Sequence, residues 1–111
     1  MLIAAAAEAQ SQVIAVEIRD GAVPRAQRVL NAQQDARLRI VWTSDRPLTV
    51  HLEGYDISVT VRPGKAEVME FKAQAGGRFP VHAHEGEMHG AQLGKHAHGR
   101  GALLWLEVHP K

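Results

Sequence analysis

Apolar and polar residues alternate along most of this chain, in runs too short for helices and separated by turn residues. Residues 13–18, reading VIAVEI, open the series and close on the Asp20-Gly21 turn pair. A second run covers 28–32. After the polar turn ending at Asp35, Leu38, Ile40 and Trp42 alternate with Arg37 and Arg39, until Ser44-Asp45-Arg46-Pro47 breaks the pattern. Leu48, Val50 and Leu52 give the fourth strand an apolar face and leave Thr49, His51 and Glu53 on the other, before Gly54 interrupts. Ile57, Val59 and Val61 alternate with Ser58, Thr60 and Arg62 up to the Pro63-Gly64 turn. The sixth strand runs over 66–73, with Val68, Met69 and Phe71 as its apolar content, and Gly76-Gly77 turns the chain again. In the seventh, Phe79, Val81 and Ala83 share one face while His82 and His84 share the other. Residues 102–108 form a nearly continuous apolar run, the pattern of a strand buried on both faces or joining two sheets. Eight short strands with no amphipathic helix predict an all-β, antiparallel Greek-key sandwich.

Composition narrows the chemistry. At 111 residues the chain is predicted to form one domain, with residues 1–12 as an N-terminal tail and 13–111 as the domain. Lys plus Arg number 13 against 12 for Asp plus Glu, and the cations are scattered, so no nucleic-acid surface is expected. The aromatic residues Trp42, Tyr55, Phe71, Phe79 and Trp105 are too few for base-stacking platforms. Cysteine is absent, which removes zinc-thiolate sites, cysteine nucleophiles and disulfides. The N-terminal alanine run lacks a basic start and is too short for a membrane span; it reads as a frayed tail or as the end of a trimmed signal peptide. Ser11, Ser44 and Ser58 sit in no nucleophile-elbow motif, and the glycines around Gly90 open no phosphate loop. Catalysis has no positive signal.

The positive signal is histidine. Between Gly76 and Gly101 lie His82, His84, His89, His96 and His98, together with Met88 and seven glycines. Imidazole is the commonest protein ligand for divalent transition metals, and a glycine-rich segment can bend several rings onto one ion. His82-Ala83-His84 and His96-Ala97-His98 each project two rings to one side if extended, and four nitrogen donors suit Cu(II), with Zn(II) or Ni(II) as alternatives. Met88 would add a soft donor for Cu(I), and Glu85 and Glu87 could orient rings from outside the ligand set. His51 with Glu53 reads either as a ligand pair or as an ordinary polar pair on one strand face. The same composition also describes a solvated loop that chelates stray metal weakly. Because Val81 and Ala83 are expected to face the core, a site using His82 and His84 is predicted on the outer surface.

The order of elements resembles a cupredoxin-like domain over residues 13–109: Asp35 opening the 37–43 strand, a histidine after the 44–47 turn, Pro63-Gly64 followed by a strand over 66–71, Gly77-Arg78-Phe79, a ligand-rich loop at 82–100, and a last strand ending in Leu106-Glu107-Val108. The resemblance implies the sandwich fold, and a copper site with one early histidine and a cysteine, histidine and methionine from the last loop. His51 takes the early position, although a gapless comparison brings Leu48 closer to it; the cysteine position falls at about Ala83; and the late ligands fall to His96 or His98, with Met88 earlier than the family methionine. A blue copper centre needs a thiolate, which this chain lacks.

The expected function is therefore non-blue copper binding by His51, His82, His84, His89, His96 and His98, with Met88 and Glu53 as further candidates, in metal storage, sensing or delivery. The resemblance implies a periplasmic or extracellular location, and the expected partners are the metal ion and a protein that donates or accepts it. The alternative is a metal-free interaction domain whose histidine loop binds a partner. An oxidase-type or zinc enzyme would need an open coordination position and a pocket. Ligating imidazoles must be neutral, so metal retention is expected to fall below about pH 6.5.

Overall fold

The computed structural model describes residues 11–85 and 101–111, and these form a two-layer β-sandwich of eight strands. They are β1 (Ser11–Ile18), β2 (Val29–Gln33), β3 (Arg37–Ser44), β4 (Leu48–Leu52), β5 (Ile57–Val61), β6 (Glu67–Lys72), β7 (Gly77–Glu85) and β8 (Leu104–His109). One sheet has the order β1-β3-β6 and the other β2-β8-β7-β4-β5. Pairing is antiparallel except between β1 and β3 and between β2 and β8, so both sheets are mixed. Every strand expected from the alternation is present, and β1 begins at Ser11, two residues earlier than the pattern suggested.

The alternation decides which residues meet between the layers. Ile18, Leu38, Ile40, Trp42 and Met69 from the smaller sheet meet Leu48, Val50, Leu52, Val81, Leu104 and Leu106 from the larger one in a single buried cluster. The last strand, β8, is paired on both edges, between β2 and β7, but its two faces differ: Leu104, Leu106 and Val108 are buried, whereas Trp105 and Glu107 are half-buried on the outside. Trp42 is fully buried, and its indole Nε1 has no hydrogen-bond partner among the described residues.

Turns hold the strands in register. The Asp20-Gly21 turn is closed by reciprocal backbone bonds between Arg19 and Ala22 of 2.9 and 3.0 Å. Gly64 follows Pro63 at a φ of 82°, the left-handed conformation that glycine adopts without steric cost. Residues 53–56 join β4 to β5, and Gly54 in this hairpin has a φ of 89°. A β-carbon there would collide with the ring of Phe79. The Phe79 ring therefore lies against bare backbone, with Tyr55 edge-on to it at a centroid distance of 5.0 Å. Tyr55 also packs against Phe71 at 5.0 Å, donates its hydroxyl hydrogen to the Ala75 carbonyl at 2.9 Å and accepts the Ala75 N–H at 3.1 Å. Burial raises the Tyr55 phenol above its ordinary value, against a smaller opposing effect of the Ala75 bond. This aromatic cluster fixes the hairpin that carries Glu53.

Candidate metal centre

Strand register builds the candidate site on the outer face of the larger sheet. In the β4–β7 pair His51 stands opposite His82 and Thr49 opposite His84; in the β4–β5 pair His51 stands opposite Ser58 and Thr49 opposite Thr60. Side chains directly opposite on one face have β-carbons about 4.5–5.5 Å apart, so His51 and His82 are cross-strand neighbours. The inner residues of the same strands, Leu48, Val50, Leu52 and Val81, are in the core. The sequence expectation that His82 and His84 turn away from the core therefore holds in the structure.

Each described ring has specific neighbours. His51 Nδ1 lies 2.7 Å from the Ser58 hydroxyl, and its Nε2 is 3.9 Å from Asp56. His82 Nε2 lies 3.1 Å from Glu53 Oε2, while its Nδ1 is buried with no hydrogen-bond partner among the described residues. Thr49, buried on this outer face, shares a hydroxyl hydrogen bond of 3.1 Å with Thr60. Glu53 sits one step beyond β4, and its N–H donates to the Pro80 carbonyl at 3.0 Å, which continues the ladder to β7 and aims the carboxylate at His82. Glu85, which the sequence offers as a residue that could orient a ring, pairs with Arg46 at 3.2 Å. Arg46 also pairs with Asp20 and, at 3.5 Å, with Asp45, and its basicity is raised chiefly by the hydrogen bond and charge of Glu85. That cluster ties the β1 end, the β3–β4 turn and the β7 end together.

The sequence-derived set thus divides. His51, His82, His84 and Glu53 share one sheet face, whereas Met88, His89, His96 and His98 lie outside the described residues. Among the described residues no three histidine or carboxylate side chains are arranged to hold a metal ion. The donor chemistry of the face fits copper or zinc, with a buried imidazole nitrogen that has no hydrogen-bond partner among the described residues, but those residues supply only part of a ligand set. The family positions on the inner side carry no ligand: Leu48 is buried in the core and Ala83 packs against it. His109, on the same sheet face but at the end of β8 beside β2, shares a hydrogen bond of 2.9 Å with Asn31. The sequence reading did not single out Ser58 or assign Glu53 to His82. Ser58 was within reach of the pattern, because a connection over 53–56 that pairs Leu52 with Ile57 sets His51 opposite Ser58.

Comparison with known proteins identifies the fold. No curated protein sequence matches the chain. Among solved structures, a copper-binding protein determined in its apo form by solution NMR superposes with a TM-score of 0.61 at 14% identity, covering 91% of this chain and 97% of that one. A multicopper oxidase superposes at 0.64 and 20% identity, over 91% of this chain and 43% of that one. A heme-copper terminal oxidase superposes at 0.64 and 20%, over 92% and 65%. The chain spans less than two thirds of either oxidase chain. Among the described residues no helix is long and apolar enough to cross a membrane. The family model for the cupredoxin-like domain matches residues 1–95, most of the sequence, and the chain belongs to that family.

Proposed function

We propose that this chain is a non-blue, histidine-based copper-binding protein that stores, senses or delivers the metal outside the cytoplasm. The observation that carries this reading is the buried Nδ1 of His82, which has no hydrogen-bond partner among the described residues, across the strand pair from His51, in a chain without a thiolate. A lone pair with no hydrogen to accept is costly to bury, and a metal ion relieves that cost. His82 and His51 would hold the ion, joined by His84 and by His89, His96 or His98 from the following segment. Met88 would suit Cu(I), whereas nitrogen donors favour Cu(II), with zinc and nickel behind it in affinity. The copper-binding protein and copper oxidases of the same fold support copper in general. The location follows from the family resemblance, and delivery implies a protein that donates or accepts the ion.

The second reading is a metal-free interaction domain whose histidine-rich segment binds a partner. Electron paramagnetic resonance of protein loaded with one equivalent of Cu(II) and dialysed separates the two. The proposal expects a single nitrogen-rich type 2 spectrum that disappears when His82, His84, His96 and His98 are all replaced by alanine. Copper lost on dialysis, or a mixture of signals, would contradict it.

A further inference from the structure

We infer that Glu53 is a positioning residue for His82, holding the ring in the Nε2–H tautomer so that Nδ1 is the atom presented to copper; this rests on the copper reading above. A neutral imidazole carries one hydrogen, and the nitrogen facing a carboxylate keeps it. Glu53 Oε2 is 3.1 Å from His82 Nε2, so the lone pair resides on Nδ1, the nitrogen that is buried and has no hydrogen-bond partner among the described residues. Carboxylate, imidazole and metal in series is the arrangement that fixes the orientation of a ligating ring and raises its basicity. The other carboxylates near this face are engaged elsewhere or too far: Glu85 pairs with Arg46, and Asp56 lies 3.9 Å from His51.

The backbone around Glu53 is built to hold that aim. Its N–H is bonded to the Pro80 carbonyl on the strand that carries His82. The next residue, Gly54, is held in its left-handed conformation with the Phe79 ring against it, and Tyr55 packs on the same ring. A carboxylate so anchored serves His82 better as a fixed hydrogen-bond acceptor than as a ligand, since turning it to the metal would leave Nε2–H without its partner.

The test uses the full chain with Glu53→Leu, which removes the acceptor, and Glu53→Gln, which keeps an amide oxygen in its place. Long-range proton–nitrogen spectra of the metal-free proteins at about pH 8, above the ordinary histidine range, read the His82 tautomer. Titration with Cu(II) alone reads affinity. The expected result is the Nε2–H form in wild type and Glu53→Gln, a mixture of tautomers in Glu53→Leu, and copper affinity about tenfold or more weaker in Glu53→Leu than in wild type. Glu53→Gln recovers most of that loss. A wild-type ring carrying its hydrogen on Nδ1, or equal copper affinity in wild type and Glu53→Leu, would overturn the positioning role while leaving the copper reading intact. A wild-type chain that binds no copper would overturn the copper reading itself, whichever tautomer it shows.

Discussion

The two faces of the β4–β7 strand pair carry opposite instructions within the same short segments. Inward, Leu48, Val50, Leu52 and Val81 are sealed in the core; outward, Thr49, His51, His82 and His84 form a polar row in which ring nitrogens meet Ser58 and Glu53. On the inner face Leu48, which a gapless comparison brings near the family's early-histidine position, and Ala83, near its cysteine position, serve as packing. The outer face lies outside the sandwich core, yet it keeps a buried ring nitrogen with no hydrogen-bond partner among the described residues, and two rings held by Ser58 and Glu53. Fold and the proposed metal chemistry would thus be separable in this chain: one side of each strand maintains the sandwich, and the other carries the candidate ligands.

Substitutions on the two sides should therefore fail in different ways. Leu52→Ala, in the fully buried interior, is expected to cost about 2–5 kcal/mol in denaturant unfolding while leaving copper stoichiometry unchanged in the folded fraction. A loss of copper with little loss of stability would break the comparison. Gly54→Ala tests the hinge between the faces. The left-handed conformation and the Phe79 ring should together cost about 1–3 kcal/mol, and the displaced hairpin should weaken copper binding as well. His51→Ala removes a single half-buried hydrogen bond, so stability should fall by only about 1 kcal/mol while copper affinity falls far more.

The smallest effect sharpens the inner side. Tyr55 is the chain's one tyrosine, so phenolate absorbance reports it alone. Burial among Phe71 and Phe79 raises its folded-state value above the unfolded value of about 10. The folded state then holds the phenolic proton more tightly than the unfolded state does. Its contribution to stability is fully present below about pH 10 and is lost as pH rises through the folded value. A Tyr55 titration at or below the ordinary value would mean that the cluster behind Gly54 is looser than the ring distances indicate.

Much of this was legible in the sequence, for a physical reason. Period-two alternation is a local property, so all eight strands could be read, and so could the faces of His51, His82 and His84. What alternation cannot reveal is which strands pair. β4 lies between β5, its neighbour in sequence, and β7, which is distant, and only the second pairing brings His51 to His82 and Glu53 to the same ring. The parallel β1–β3 and β2–β8 pairs were hidden for the same reason. Glu53 was read as a candidate ligand beside His51, because sequence neighbours on one strand face are visible and cross-strand diagonals are not. The engagement of Glu85 by Arg46 depends on a turn closing near the end of β7, which no periodicity encodes.

The two tryptophans make the most direct test of where copper sits. Trp42 is fully buried on the smaller sheet, whereas Trp105 is half-buried on the outer face of the larger one, opposite Pro80 and diagonal to His82. A diagonal neighbour is about 7–8 Å away along the sheet face, while the facing sheet is about 10 Å beyond the strand plane. Paramagnetic Cu(II) added in small steps should therefore broaden the Trp105 indole resonance first and leave that of Trp42 sharp. If Trp42 broadens first, the ion lies between the sheets, and the account of an outer histidine face is wrong.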